Sequence, residues 1–131
     1  MATVNTPFGE IDERSWNRIK HMRHAEVAAY IAALEAHLAA TQHALASSRL
    51  IGDVWAKHPE CATLDNLREA ERGNPRTVVL IETAASDWRR VGELEAEMGA
   101  AGWLDDDERS VILSASGEPM LVSHALPCDA A

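Results

Sequence analysis

Apolar side chains recur in the first third of the chain at Trp16, Ile19, Val27, Ile31, Leu34, Leu38 and Leu45. From Val27 onward the steps are four, three, four and seven. Those steps return repeatedly to one face of an α-helix, with Tyr30 beside the seam. The alanines between them favour helix because they lose almost no side-chain entropy. Thr6-Pro7-Phe8-Gly9 reads as a turn, and Asp12 or Ser15 can cap the first turn that follows. The pattern therefore predicts a long helix over 12–57, which His58-Pro59 must interrupt. A helix of roughly 35 to 45 residues would span about 50–65 Å, longer than a domain of this size. It must project with its stripe covered by a partner, or fold back near Ser47-Ser48 or Gly52 within 47–59.

Further along, the periods change. A short second helix is expected over 60–73, starting at Thr63 or Asp65 and closed by Gly73-Asn74-Pro75. Thr77-Val78-Val79-Leu80-Ile81 is a β-branched run bounded by turn residues and reads as a buried strand. Ser86 or Asp87 can then cap a third helix with Trp88, Val91, Leu94, Met98 and Ala101 on one face, ended by Gly102. The runs 109–116 and 120–125, around Ser116-Gly117-Glu118-Pro119, read as strands joined by a tight turn. The expected fold class is α+β: the long helix, the short helix, then a β-α-β-β segment over 76–126 with a small antiparallel sheet, in a single domain over 1–131.

Charge narrows the partners. A formal net charge of −9 opposes broad binding to phosphate backbones or anionic membranes and favours a neutral or basic protein partner. Met1 to Glu10 carry no cationic and apolar pattern of a secretory signal. The alanine-rich stretch 25–46 is interrupted by Glu26, Glu35 and His37 and does not read as a membrane span. With only Cys61 and Cys128, the expectation is a cytoplasmic protein with reduced thiols.

One segment resembles a known family. Leu94-Glu95-Ala96-Glu97-Met98-Gly99-Ala100-Ala101-Gly102-Trp103-Leu104, followed by Asp107-Glu108-Arg109-Ser110-Val111-Ile112-Leu113-Ser114-Ala115-Ser116-Gly117-Glu118, resembles the recognition helix and wing of MarR-type winged-helix regulators. The similarity covers residues 86–118. It implies a DNA-binding transcriptional regulator, for which Arg89, Arg90 and Arg109 are the candidate contacts. Glu93, Glu95 and Glu97 make the same helix acidic, whereas a helix in the major groove needs hydrogen-bond donors for phosphates and base edges.

Two further constellations bear on chemistry. His58 with Cys61, and His124 with Cys128, form pairs that could supply a Cys2His2 zinc site if the two segments meet. No nucleophile elbow, glycine-rich phosphate loop or placed Cys-His pair is present, so neither an enzyme nor a cofactor beyond that zinc is expected. The leading expectation is a non-enzymatic interaction module, a regulator, inhibitor or assembly component. It would form a homodimer or dock on another protein through Val27, Tyr30, Ile31, Leu34, Leu38 and Leu45, and present an acidic surface. The alternatives are the winged-helix DNA binder and a small zinc-stabilised module.

Overall fold

In the computed structural model, residues 2–122 are described. The chain falls into two compact units, Met1–Glu35 and Ala36–Ala131.

In the first unit, strands β1 (Thr3–Thr6) and β2 (Gly9–Asp12) pair antiparallel, with Val4 opposite Ile11 and Thr6 opposite Gly9. The turn expected at Thr6 to Gly9 is present. Thr6 Oγ1 accepts from the Phe8 N–H at 3.2 Å and donates to the Gly9 carbonyl at 2.6 Å. Gly9 takes a φ of 125°, which a residue with a Cβ would resist. Asp12 then caps helix α1 (Glu13–Ile19), its carboxylate accepting from Ser15 N–H at 3.4 Å.

The single helix expected over 12–57 is in fact two. α1 ends at Ile19, and α2 (His24–Ala56) begins after Lys20-His21-Met22-Arg23. No proline or glycine forces the interruption. It falls where the apolar stripe lapses, because between Ile19 and Val27 only Met22 and Ala25 are apolar. Without an apolar face to bury, intrinsic propensity alone holds a turn only weakly.

α2 has 33 residues, or about 50 Å at 1.5 Å per residue. It runs unbroken through Ser47-Ser48 and Gly52, so of the two alternatives the fold-back does not occur there, and it stops just before His58-Pro59. Among the described residues no helix is long and apolar enough to cross a membrane.

The second unit packs residues 36–56 of α2 with α3 (Leu64–Ala70) and α4 (Pro75–Ala100). Thr63 caps α3 by accepting from Asn66 N–H at 3.1 Å. α3 is shorter than the expected 60–73; Asn74 N–H bonds the Glu71 carbonyl at 2.9 Å in the turn that follows. Ile51 and Trp55 of α2, Leu67 of α3 and Ile81 and Ala84 of α4 share one buried cluster. Ala44, Trp88, Val91 and Val111 form a second.

The strand expected at Thr77–Ile81 is the opening of α4, and the expected third helix is its continuation. Pro75 serves two purposes: it blocks continuation of α3, and its fixed φ suits the first turn of a new helix. The β-branched Thr77, Val78 and Val79 cost a few tenths of a kcal/mol each in a helix. Burial of Ile81, Ala84, Ala85, Trp88 and Val91 along one face outweighs that cost. Ser86, a candidate cap from sequence, is an exposed mid-helix residue. The expected β-α-β-β order is therefore helix followed by hairpin.

α4 ends as expected at Gly102, whose φ is 78°. Trp103 N–H bonds the Met98 carbonyl at 2.8 Å and Gly102 N–H bonds that of Gly99 at 3.0 Å, the two hydrogen bonds of a Schellman motif. After a short 3-10 turn at Asp106–Glu108, β3 (Val111–Leu113) and β4 (Pro119–Leu121) pair antiparallel, Ile112 opposite Met120. Ser114 to Glu118 form the connection, with Gly117 at φ 85° and Ser114 N–H bonded to the Glu118 carbonyl at 2.9 Å. These strands are shorter than the expected 109–116 and 120–125; residues 123–125 lie outside the described residues.

Gly92 sets how closely the hairpin approaches α4. A Cβ there would meet Val111 Cγ1 and Leu113 Cδ2 at 2.9 Å, whereas one at Gly52 would meet nothing within 4 Å. Alanine at either site gains helix propensity, but at Gly92 the overlap wins. Gly92→Ala is expected to destabilise by about 1–2 kcal/mol. Gly52→Ala should stabilise by about 0.5–1 kcal/mol. Urea midpoints of the two variants moving in the same direction would refute this reading of the packing.

Candidate functional site

The most heavily bonded buried polar group in the second unit is the Glu95 carboxylate, on the inner face of α4 and 1% exposed. Its Oε1 accepts from the main-chain N–H groups of Ser110 at 2.9 Å and Val111 at 3.0 Å. Its Oε2 accepts from Ser110 Oγ at 2.6 Å and lies 2.9 Å from His37 Nε2 on α2. One side chain thus joins α2, α4 and the start of β3. Burial by itself would push the Glu95 carboxyl up. The bonds from His37, from the Ser110 hydroxyl and from the two main-chain N–H groups overcome that and hold it below the usual value. With four partners it has little basicity left for catalysis, and its role is to fix the hairpin.

Other polar groups tie α2 to α4. Ser48 Oγ accepts from Trp88 Nε1 at 2.8 Å, and the neighbouring Ser47 hydroxyl donates to Asp87. The two serines that read as a place for the helix to fold back are instead buried contacts to α4.

The residues singled out from sequence fall in different surroundings. Ile31 and Leu34 in the first unit are 48% and 42% exposed, and Leu38 and Leu45 in the second are 59% and 37%. Val27 is half-buried and Tyr30 is buried, so Tyr30 stands apart from the exposed stripe. Arg89 Nε donates to the Gly117 carbonyl at 2.9 Å and its Nη2 lies 3.6 Å from Glu118 Oε1, so it clamps the β3–β4 turn. Arg90 is exposed. Arg109 is half-buried, with its Nε covered and unpartnered among the described residues.

His58 sits between two carboxylates, Nδ1 3.6 Å from Glu60 Oε1 and Nε2 3.6 Å from Glu71 Oε1. Cys61 is buried, its carbonyl accepting from Trp55 Nε1 at 2.7 Å. Burial and the adjacent Glu60 push its thiol up, which opposes the thiolate that a metal would need. His124 and Cys128, the other half of the zinc constellation, lie outside the described residues. Asp105, Asp107 and Glu108 place carboxylates near one another in an exposed turn, where Glu108 Oε1 accepts from Asp105 N–H at 2.8 Å.

No family model, curated protein or solved structure matches this chain.

Two surfaces stand out among the described residues. One is the exposed stripe of α2. The other is a cleft of about 300 Å³ between the first turn of α3 and the β4 side of the hairpin. Arg68 reaches Asp65 and Glu118, both at the cleft, together with Glu82, and braces α3 against α4 and the hairpin turn.

The Glu95 site gives two expectations. Glu95→Ala leaves two main-chain N–H groups and the Ser110 hydroxyl without their acceptor, which should cost about 2–4 kcal/mol in urea unfolding. The folded carboxyl lies below its unfolded value, so its contribution is complete above the ordinary glutamate range of about 4.3 and is lost as pH falls through the folded value. The stability gap between wild type and Glu95→Gln should therefore narrow as the pH drops below about 4. A gap that widened in acid would contradict the assignment.

Proposed function

We propose that the chain is a non-enzymatic protein-interaction module that self-associates through α2. The single observation behind this reading is the exposure of Ile31, Leu34, Leu38 and Leu45, four large aliphatic side chains at helical spacing on one element. Scattered exposed leucines need no explanation, but a periodic row of them is the pattern of a helix that packs against another helix. A second copy supplies an identical row, and such self-complementary faces are the usual basis of two-fold dimers. The net charge of −9 would be carried on the other surfaces, available to a neutral or basic partner.

The winged-helix alternative draws less support. Of its three candidate arginines, Arg89 already serves the Gly117 carbonyl and Glu118. A contact to a phosphate would have to compete with both.

Light scattering coupled to size exclusion tests the proposal. The wild type is expected at twice the chain mass, and Leu34→Asp/Leu38→Asp at the monomer mass with unchanged far-UV circular dichroism. Two aliphatic side chains lost from an interface correspond to at least a tenfold, and more often a hundredfold or greater, weakening. A wild type that is monomeric at high micromolar concentration would rule out self-association through this face.

A further inference from the structure

Three polar side chains of α2 stand in line beside its aliphatic row. Glu35, Gln42 and Arg49 each follow a row residue by four positions, Ile31, Leu38 and Leu45 in turn, and so recur every seven. Seven residues are just under two helical turns, so the three share one face, about 10 Å apart at 1.5 Å per residue. All three are exposed, and neither Glu35 nor Arg49 has an ion-pair partner among the described residues. Between Val27 and Gly52 the sequence of α2 holds no other Asp, Glu, Lys or Arg. The long middle of the helix therefore carries one negative and one positive charge, placed at equal distances on either side of Gln42.

That spacing distinguishes two ways of pairing the aliphatic row with a second copy. In a parallel pair Glu35 faces Glu35 of the other copy and Arg49 faces Arg49, giving two like-charge contacts. Turned head to tail about Gln42, each Glu35 meets Arg49 of the other copy, giving two opposite-charge contacts. The head-to-tail register also suits the apolar side chains. It brings Leu38 of one copy within one residue's rise, about 1.5 Å, of level with Leu45 of the other, and does so twice. At the midpoint Ala39, Gln42, His43 and Ala46 line a shallow depression, and the two alanines leave room for a close approach of the helices.

We propose that α2 pairs with α2 of a second copy in antiparallel orientation, about a two-fold axis at Gln42, and that Glu35 and Arg49 set that orientation. The inference rests on the self-association proposed above and adds its direction. Burial of the row favours contact in either direction, because apolar attraction has no polarity along the helix. The charges discriminate, since the parallel arrangement sets like against like while the antiparallel one sets opposites together.

Charge reversal reads the direction. Sedimentation equilibrium at low ionic strength compares the wild type with Glu35→Arg, Arg49→Glu and the double variant Glu35→Arg/Arg49→Glu. Both positions are exposed, so all three variants should keep the wild-type far-UV circular dichroism. Each single change creates two like-charge contacts in the antiparallel pair and is expected to raise the dimer dissociation constant about tenfold. The double variant restores opposite charges at both places and should return to within about threefold of the wild type. In a parallel pair every variant still sets like against like, so the single variants would match the wild type. That result with a dimeric wild type overturns the antiparallel orientation and leaves self-association standing, as does a double variant as weak as the single ones. A monomeric wild type removes both.

Discussion

A carboxylate withdrawn from water must recover its lost hydration from fixed donors, and in the second unit Glu95 of α4 does so by recruiting α2 and the start of β3 at once. Two main-chain N–H groups at the entry to β3, the Ser110 hydroxyl and His37 of α2 converge on it. The consequences extend beyond that carboxylate. The two N–H bonds fix where the hairpin starts, which fixes its register. That register brings Val111 and Leu113 against Gly92, one turn before Glu95 on the same face of α4. The close approach permitted by Gly92 is what lets those N–H groups reach the carboxylate, so the charge and the glycine depend on each other. Arg89 secures the far end of the same hairpin through the Gly117 carbonyl.

Much of this fold was legible where local chemistry decides it. Asp12 as a cap, Gly102 as a helix stop, Gly117 in a tight turn and Thr63 at the head of α3 all satisfy main-chain groups within a few residues, and such signals need no tertiary information. The errors came where distant packing decides. Thr77 to Ile81 has the composition of a strand, yet Ile81 is the first buried position of a face that continues through Ala84, Trp88 and Val91. Considered together with the helix that follows, its spacing is helical. The interruption at Lys20 to Arg23 left only a negative trace, a gap in the apolar row. The strands of the first hairpin were missed because four residues on either side of a turn are too few to show alternation.

The site was less legible than the fold, for a physical reason. Glu95 looked like one of three acids on a charged helix, alongside Glu93 and Glu97. Its one visible distinction is its place in the apolar series Trp88, Val91, Glu95, Met98, where a core residue is expected. A charge in an apolar register signals a buried acceptor, but its donors, 15 and 58 residues away, appear only in the fold. Arg89 misled in the opposite sense. It resembled a free cation on a helix, and its partners at the hairpin turn are equally remote in sequence.

α2 presents two unlike faces. Toward the second unit it buries Ala44, Ser47, Ser48, Ile51 and Trp55, a narrow row of small side chains and hydroxyls ending in a large anchor. Small residues there allow α4 close enough for Trp88 and Asp87 to reach the two serines. His37 adds its bond to Glu95 and Tyr30 is buried, whereas Ile31, Leu34, Leu38 and Leu45 stay exposed. Leucine and isoleucine at the exposed positions are therefore not accounted for by the buried face. The self-association proposed for α2 would cover that surface.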